Sequence, residues 1–279
     1  MHCRRFAFAL AGAALWATAG AAAETVDIPQ VSPQGSPQGA LTLHATLYRP
    51  QGPGPFPAVL ALHDCAGLDN PPAANAELYR EWSTLLTAKG FVVIFPDSFG
   101  SRGVGAQCRL RQPKVRASRE RVADVDATRR WLQTQTFVRP DRISLLGWAS
   151  GGTAALWAVR PNAAPRDGGV DFRSVVALYP GCGRLRQTAW SARVPTLILI
   201  GGADETALAS TCEQMVSGAH GRSARAEIVV YPGAGHEFDH TNAPSHSPGT
   251  TDPSGRAHRG GNPAARTDAL RRIPLWLAR

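Results

Sequence analysis

The apolar residues of this chain follow two patterns. Short uninterrupted apolar runs favour strands buried on both faces of a sheet, while apolar residues three and four positions apart favour helices. The predicted strands are 41–48, which alternates apolar and polar residues, and 58–62, 91–95, 143–147, 174–178, 196–200 and 226–230. The predicted helices are 75–89, 118–135 and 263–278, with Pro274 kinking or shortening the last one.

Strands alternate with helices along the chain, which predicts a mostly parallel sheet with helices on both faces. Residues 24–40 are rich in proline, glutamine, serine and glycine and are predicted to be an arm leading into the sheet. Residues 240–262 are poor in apolar side chains and are predicted to be a long irregular segment, with His246 and His258 as solvated loop residues. No internal repeat or second apolar core is evident, so we expect residues 24–279 to form one α/β domain.

The segment 143–156 predicts a strand, a very tight turn and a helix. Its apolar run ends at Gly147, Gly151 follows four residues later, and an alanine-rich helical pattern comes next. A nucleophile elbow has this form, with small residues two positions before and two positions after the nucleophile, because strand and helix are pressed together there. Gly147 and Gly151 fill the small positions. The residue at the nucleophile position is Ala149.

Further candidates follow other strands. In open α/β sheets, active groups collect beyond the carboxyl ends of the strands. Asp204 and His236 follow the last two strands, and the order nucleophile, acid, histidine is that of a hydrolase triad. The histidine would move the nucleophile's proton and the acid would orient it. The backbone N–H groups of Ser150 and Cys65 are the candidates for an oxyanion hole.

Several stretches together carry a resemblance to the exported bacterial members of the dienelactone hydrolase family. They are the elbow and residues 63–67 (HDCAG), 95–102 (FPDSFGSR), 202–204 (GAD) and 231–238 (YPGAGHEF). The resemblance runs from about Leu41 to the last helix, without residues 240–262. It implies an α/β-hydrolase fold and hydrolysis of small esters or lactones without a cofactor.

The resemblance also implies roles for individual residues. Asp204 would be the acid and His236 the base of the triad. Asp64 matches an acidic position that contacts the nucleophile in some members. Arg102 falls near an arginine that holds a substrate carboxylate, so an anionic ester or lactone is compatible with it.

Ala149 departs from the family pattern, because alanine cannot attack a carbonyl. A triad without its nucleophile retains only about 10³- to 10⁴-fold acceleration over water. The chain is therefore either a hydrolase of unusual chemistry or a pseudo-hydrolase that binds an ester-like or lactone-like ligand without turning it over. A serine-to-alanine change in an active enzyme is a third explanation.

Three routes to activity without a nucleophile at position 149 remain open. Ser150 would attack if the elbow were shifted by one residue, although Trp148 would then occupy a position that needs a small side chain. Asp204 and His236 would activate water slowly. Cys65 would substitute as nucleophile only as a free thiol.

Residues 1–23 are predicted to be an export signal. Arg4 and Arg5 precede an apolar stretch that is too short for a good membrane span, and alanines at 21–23 form a cleavage site. We therefore expect a secreted protein without stable membrane insertion, most simply in a bacterial periplasm. Four cysteines remain in the mature chain, which suggests disulfides in an oxidising compartment. Three pairings are possible; their positions after predicted strands favour Cys65 with Cys108 and Cys182 with Cys212 over four buried thiols.

The chain is basic, with a formal charge of +9. Its arginines are scattered, with modest bunching between Arg109 and Arg121, which favours a solvated surface over nucleic-acid binding. Glu120, Asp124 and Asp126 are predicted to lie on a solvated helix face, paired with nearby arginines. Cysteine and histidine spacings typical of metal sites do not occur, and the oligomeric state is not predicted.

Overall fold

The structure is a computed structural model that describes residues 23–30, 41–69, 71–108, 110–241 and 259–279. Strands and α-helices alternate over most of these ranges. In chain order they are β1 (Ala23–Gln30), β2 (Leu41–Tyr48), β3 (Phe56–Leu62), α1 (Ala73–Ala88), β4 (Val92–Pro96), α2 (Glu120–Thr134), β5 (Val138–Trp148), α3 (Ser150–Ala158), β6 (Val175–Leu178), α4 (Gly183–Gln187), β7 (Thr196–Gly201), α5 (Ala209–Ser217), β8 (Ala226–Tyr231) and α6 (Pro263–Leu277).

The strands form one sheet in the order β1-β2-β4-β3-β5-β6-β7-β8. The six strands β3 to β8 pair in parallel with their neighbours in the sheet. Strands β1 and β2 are antiparallel and lie at one edge, next to β4. The centre of the sheet is fully buried, since every residue of β6 and β7 is inaccessible or nearly so. This agrees with the uninterrupted apolar runs, which have no polar face to expose. The predicted α/β-hydrolase fold is confirmed.

The arm predicted for residues 24–40 is wrong for its first part, because β1 occupies Ala23–Gln30. This strand pairs antiparallel with β2 and places Ile28 opposite Leu43, both fully buried. Ile28 is the one residue of β1 that is buried, so the strand has almost no apolar alternation to reveal it. Pairing with β2, rather than its own sequence pattern, stabilises it.

Helix α6 continues through Pro274 to Leu277. Pro274 lacks a backbone N–H and so removes one donor from the helix. The start of the helix is capped by Asn262, whose side chain accepts a hydrogen bond from the N–H of Ala265 at 3.1 Å. Ile273 and Trp276 bury its inner face. The short helices α4 and α5 were not predicted from the apolar pattern.

Both predicted disulfides are present. Cys65 is bonded to Cys108, and Cys182 is bonded to Cys212. The first joins the loop after β3 to the segment before α2, and the second joins the loop after β6 to α5. The predicted export signal lies outside the described residues except for Ala23, as do His246 and His258. No helix within the described residues has the length and apolar character needed to cross a membrane.

Candidate active site

The turn between β5 and α3 has the backbone of a nucleophile elbow. Ala149 is its single linking residue and has φ 46° and ψ −112°, a conformation that costs roughly 1 to 3 kcal/mol for a non-glycine residue. The glycines explain how it is held. A Cβ added at Gly151 would lie 2.0 Å from the carbonyl oxygen of Leu62, and one at Gly147 would lie 2.5 Å from the carbonyl carbon of Gly151. Strand and helix therefore meet so closely that only glycine fits on either side of Ala149.

The two side chains considered as substitutes for a nucleophile at position 149, Ser150 and Cys65, both have partners. The hydroxyl of Ser150 accepts a hydrogen bond from Nη1 of Arg121 at 3.2 Å, so it lies against helix α2. The sulfur of Cys65 is in the disulfide with Cys108. The Ser150 hydroxyl therefore has a partner on α2, and Cys65 is not a free thiol.

The acid and base predicted from the strand ends lie together. Asp204 follows β7 and His236 follows β8, which is the neighbouring parallel strand. Nδ1 of His236 lies 2.7 Å from Oδ2 of Asp204, and both side chains are almost fully buried. The other carboxylate oxygen of Asp204 accepts the N–H groups of Thr206 and Ala207, each at 2.8 Å. These bonds hold the carboxylate in the geometry that orients a histidine for proton transfer, with Nε2 facing away from the acid.

The loop that follows β8 and carries His236, hereafter the histidine loop, is held by the segment that begins at Arg259. The N–H of Gly260 donates to the carbonyl of His236 at 2.7 Å, and His236 forms a parallel bridge with Arg259. Glu237 has φ 62° and pairs with Arg259. His236 is therefore fixed through its backbone as well as through its ring.

Asp239 connects the histidine loop to the elbow, and the sequence analysis did not identify it. Its buried carboxylate accepts hydrogen bonds from the indole N–H groups of Trp82 and Trp148, at 3.1 and 2.9 Å, and from the hydroxyl of Tyr179 at 2.8 Å. Trp148 directly precedes Ala149, and the Tyr179 ring packs 4.7 Å from the His236 ring, centroid to centroid. Burial, reinforced by the charge of Asp239, raises the pKa of Tyr179 well above its usual range, so Tyr179 stays a neutral donor.

The loop after β3 presents one unused backbone donor near the elbow. The carboxylate of Asp64 accepts the N–H of Ala66 at 2.8 Å, Nδ2 of Asn75 at 2.6 Å and the hydroxyl of Tyr79 at 3.1 Å. The N–H of Asp64 itself donates to Tyr79 at 2.9 Å. Among the hydrogen bonds of the described residues none uses the N–H of Cys65, which leaves it available as an oxyanion donor.

The second predicted donor, Ser150, is the first residue of α3, so its N–H has no acceptor within the helix. Asp64 thus braces the loop through its own hydrogen bonds. The contact of Asp64 with the nucleophile position stays a prediction.

Arg121 is a second residue that the sequence analysis missed. It is fully buried, and its Nη2 donates to the carbonyl of His63 at 2.7 Å while Nη1 reaches Ser150. Burial lowers the pKa of Arg121 to about 10, although the charges of Asp124 and Asp64 oppose that shift. Arg121 therefore keeps its charge at neutral pH and braces the first turn of α3 against the end of β3.

Two predictions about charged residues are corrected by one ion pair. Asp124 was expected on a solvated face, but it is fully buried. Its carboxylate accepts Nη1 and Nη2 of Arg102 at 2.9 and 2.6 Å, and Arg102 also donates to the carbonyl of Ser98 at 2.8 Å. The guanidinium of Arg102 is thus occupied by an internal carboxylate. It is not free for a substrate carboxylate, because a buried bidentate partner satisfies it first.

The family follows from a match along most of the chain. Residues 43–279 match the dienelactone hydrolase family. The chain belongs to the dienelactone hydrolase family. Of the predicted site residues, Ala149, Ser150, Cys65, Asp204 and His236 lie beyond the carboxyl ends of the parallel strands β3, β5, β7 and β8, at one edge of the sheet.

Solved structures of dienelactone hydrolases and esterases have the same fold. The putative dienelactone hydrolase from Klebsiella pneumoniae has a TM-score of 0.66 and 20% identity, with 92% of this chain and 99% of that chain covered. The apo form of Thermogutta terrifontis esterase 2 has a TM-score of 0.64 and 19% identity, covering 93% and 94%. The dienelactone hydrolase from Anabaena variabilis has a TM-score of 0.59 and 16% identity, covering 92% and 97%. A comparison with curated proteins found no match.

Proposed function

We propose that this protein binds a small carboxylic ester or lactone in a dienelactone hydrolase-like site that lacks the attacking side chain, so that it acts as a pseudo-hydrolase. The observation that carries the proposal is the backbone of Ala149, which has the strained conformation of a nucleophile elbow, φ 46°, with only a methyl group as its side chain. Because Ser150 and Cys65 are engaged elsewhere, we expect no covalent acyl intermediate.

The rest of the site suits binding of a carbonyl group. The N–H groups of Ser150 and Cys65 are the donors proposed to hold its oxygen. The Asp204–His236 pair, 2.7 Å apart, is in the orientation that would remove a proton from a nucleophile. A slow reaction, in which His236 takes a proton from a water molecule that attacks the carbonyl, is the second candidate function, and the intact pair favours it.

We also propose that the protein is exported, most simply to a bacterial periplasm, after removal of residues 1–23. Two disulfide bonds support this proposal, because disulfides persist in oxidising compartments. Expression of the full chain, followed by fractionation and N-terminal sequencing, tests it. A mature protein that begins at Glu24 is expected, and a chain that keeps Met1 in the cytoplasm would contradict it.

Restoring the nucleophile tests the proposed function. We expect Ala149→Ser to hydrolyse 4-nitrophenyl butyrate at least about 10³-fold faster than the native chain, because one hydroxyl completes the triad. The matched control is Ser150→Ala in the same background, which removes the neighbouring hydroxyl and is expected to leave the gained reaction in place.

The native chain distinguishes the remaining explanations. If it releases nitrophenol and both His236→Ala and Ser150→Ala abolish the reaction, then Ser150 is the nucleophile and the proposal is wrong. If His236→Ala abolishes it but Ser150→Ala does not, water is the nucleophile and the second candidate is correct. Calorimetric titration of the native chain with dihydrocoumarin, a neutral lactone, measures binding directly.

A further inference from the structure

A cleft of about 700 Å³ opens beside the elbow, within the size range of small-molecule sites. One wall is helix α3, which presents Thr153 and Trp157, one turn apart, to the cleft. The hydroxyl of Thr153 donates to the carbonyl of Ala149 at 3.1 Å and accepts the N–H of Gly181 at 2.8 Å. The cleft wall is therefore bonded directly to the proposed nucleophile position.

The opposite wall is the loop of residues 110–118. The first disulfide attaches the chain just before it to the loop after β3, which carries Cys65. Cys108 is bonded to Cys65, and the N–H of Gln107 donates to the carbonyl of Cys65 at 2.7 Å. The side chain of Gln107 in turn accepts the N–H of Lys114 at 2.9 Å. These contacts hold residues 110–118 beside α3 and so form the cleft.

The described residues that line this cleft include four cations and no carboxylate. The cations are Arg111, Lys114, Arg116 and Arg184. Arg116 pairs with Glu120 at 2.9 Å outside the cleft lining. Among the described residues, the side chains of Arg111, Lys114 and Arg184 have no ion pair or hydrogen bond. Such a concentration of unpaired charge raises the local potential and attracts anions.

A neighbouring cavity differs from the cleft because carboxylates line it. It has about 650 Å³ and shares Ser118 and Trp157 with the cleft. Its lining contains Asp126 and Asp167 as well as arginines, and both carboxylates pair with Arg129, at 2.9 and 2.7 Å. The neighbouring cavity therefore has carboxylates among its lining residues, whereas the described lining of the cleft has none.

We infer that the cleft binds a ligand that carries two or more carboxylate or phosphate groups, and that these groups belong to the molecule whose ester or lactone reaches the elbow. The second half of this inference rests on the proposed function. Three unpaired cations, Arg111 and Lys114 on the loop and Arg184 on α4, suit several anionic groups rather than one. This site is separate from Arg102, whose guanidinium is held by Asp124.

Calorimetric titration of the protein with both disulfides intact tests the binding site. The probes are citrate, which supplies carboxylates, and tripolyphosphate, which supplies phosphates. We expect saturable binding of at least one probe, and Lys114→Ala and Arg184→Ala should each weaken it roughly tenfold by removing one charge-assisted contact. Tighter binding of citrate identifies a carboxylate ligand, and tighter binding of tripolyphosphate identifies a phosphate ligand.

Two control variants remove the same charges away from the cleft. Lys89→Ala, at the end of α1, matches Lys114→Ala, and Arg139→Ala, in β5, matches Arg184→Ala. Each control should change the affinity by less than about twofold, since distant exposed charges are screened by salt. No saturable binding of either probe, or equal losses in all four variants, would overturn the inference.

A kinetic measurement separates this inference from the proposed function. In the Ala149→Ser background, we compare neutral 4-nitrophenyl butyrate with the mono-4-nitrophenyl ester of propane-1,2,3-tricarboxylate, which keeps two free carboxylates. The ratio of KM for the neutral ester to KM for the anionic ester should fall roughly tenfold on Lys114→Ala, because one charge-assisted contact is lost. Lys89→Ala should leave that ratio within about twofold. If Ala149→Ser hydrolyses neither ester while the calorimetric pattern holds, the proposed function fails and the anion site stands. If both esters are hydrolysed with an unchanged ratio, the anion site does not serve the elbow.

Discussion

The elbow and the histidine loop are the two halves of the proposed site, and they differ in what they retain. The histidine loop has its chemical groups, with Nδ1 of His236 2.7 Å from Asp204. The elbow has the strained backbone at Ala149, φ 46°, but not the hydroxyl or thiol that the strain would present to a substrate. Strain of this kind is retained only when the surrounding structure imposes it.

The comparison teaches that elbow geometry and nucleophilic chemistry are separable. The glycines at 147 and 151 hold the backbone whatever side chain lies between them, since any Cβ at those positions would overlap neighbouring backbone. The histidine loop is held by a different device, the carboxylate of Asp239, which also bonds to Trp148 in the elbow. One buried carboxylate thus couples the two halves.

The largest expected effect comes from removing the acid or the base of the histidine loop. Once Ala149→Ser has been introduced, adding His236→Ala or Asp204→Asn should lower kcat for 4-nitrophenyl butyrate by roughly 10³- to 10⁴-fold, because the serine loses its base or the base loses its orientation. Steady-state kinetics of the three variants measures this. If both double variants stay within tenfold of Ala149→Ser, the pair at 2.7 Å does not act on the elbow.

The next effect tests what holds the elbow backbone. Gly151→Ala would place a Cβ 2.0 Å from the carbonyl oxygen of Leu62. We expect a loss of roughly 3 kcal/mol in the free energy of unfolding, measured by denaturant titration, because backbone on both sides must move. Gly105→Ala is the matched control, since nothing lies within 4 Å of its added Cβ. Equal stability of the two variants would show that close approach does not hold the turn.

Asp239→Asn should weaken the coupling between the halves. Asparagine offers one acceptor oxygen where the carboxylate accepts from Trp82, Trp148 and Tyr179. At least one buried donor is then unsatisfied, and we expect a loss of about 1 to 3 kcal/mol in stability. Asp141→Asn, at a side chain that is 55% exposed, is the control and should be nearly neutral.

Asp239→Asn also has a kinetic readout that a purely structural role would leave unchanged. In the Ala149→Ser background, Asp239→Asn should lower kcat more than it changes KM and should shift the pH profile of kcat. The reason is that the Tyr179 ring, which packs against His236, loses its hydrogen bond to the Asp239 carboxylate. A variant that is destabilised but has unaltered kcat and pH profile would show that Asp239 serves folding alone.

The smallest effect concerns pH and the oxyanion side of the site. His63 is fully buried, and burial, together with the charge of Arg121, lowers its pKa well below the ordinary value, so the folded protein holds it neutral. The unfolded chain binds a proton below about pH 6.5, so His63 lowers stability as the pH falls below that value. Between pH 6.5 and 5.5 we expect this residue to account for a loss of about 1 kcal/mol.

Denaturant titrations of the native chain and of His63→Asn at the two pH values measure that contribution as a difference. His220→Asn, at an exposed position, is the control and should keep the pH dependence of the native chain. If His63→Asn keeps it as well, then His63 does not titrate on unfolding in this range.

Much of the fold and half of the site were predictable, because their signals are local. The apolar runs predicted seven of the strands to within a few residues, apart from the early start of β5 at Val138. The positions of Asp204 and His236 followed from their places after strands, since neighbouring parallel strands end at one edge. β1 was missed because it has a single buried residue, Ile28.

The residues that sequence reasoning missed or misjudged are those whose partners are far along the chain. Arg102 was predicted to hold a substrate, and Asp124 was predicted to be solvated. In the structure the guanidinium of Arg102 forms an ion pair with the buried carboxylate of Asp124. Arg121 is buried between His63 and Ser150, 58 and 29 residues away. No local pattern indicates which of several arginines is buried.

The sequence by itself determined the tight turn and the alanine at its apex, because a strained turn depends on the size of neighbouring residues, which five consecutive positions from Gly147 to Gly151 specify. Only the tertiary structure decided how the site is braced and where its unpaired charge lies. Asp239 receives donors from Trp82, Trp148 and Tyr179, which are 157, 91 and 60 residues away. The pairing of buried charges and donors depends on distance in space, which packing of the whole sheet and its helices sets.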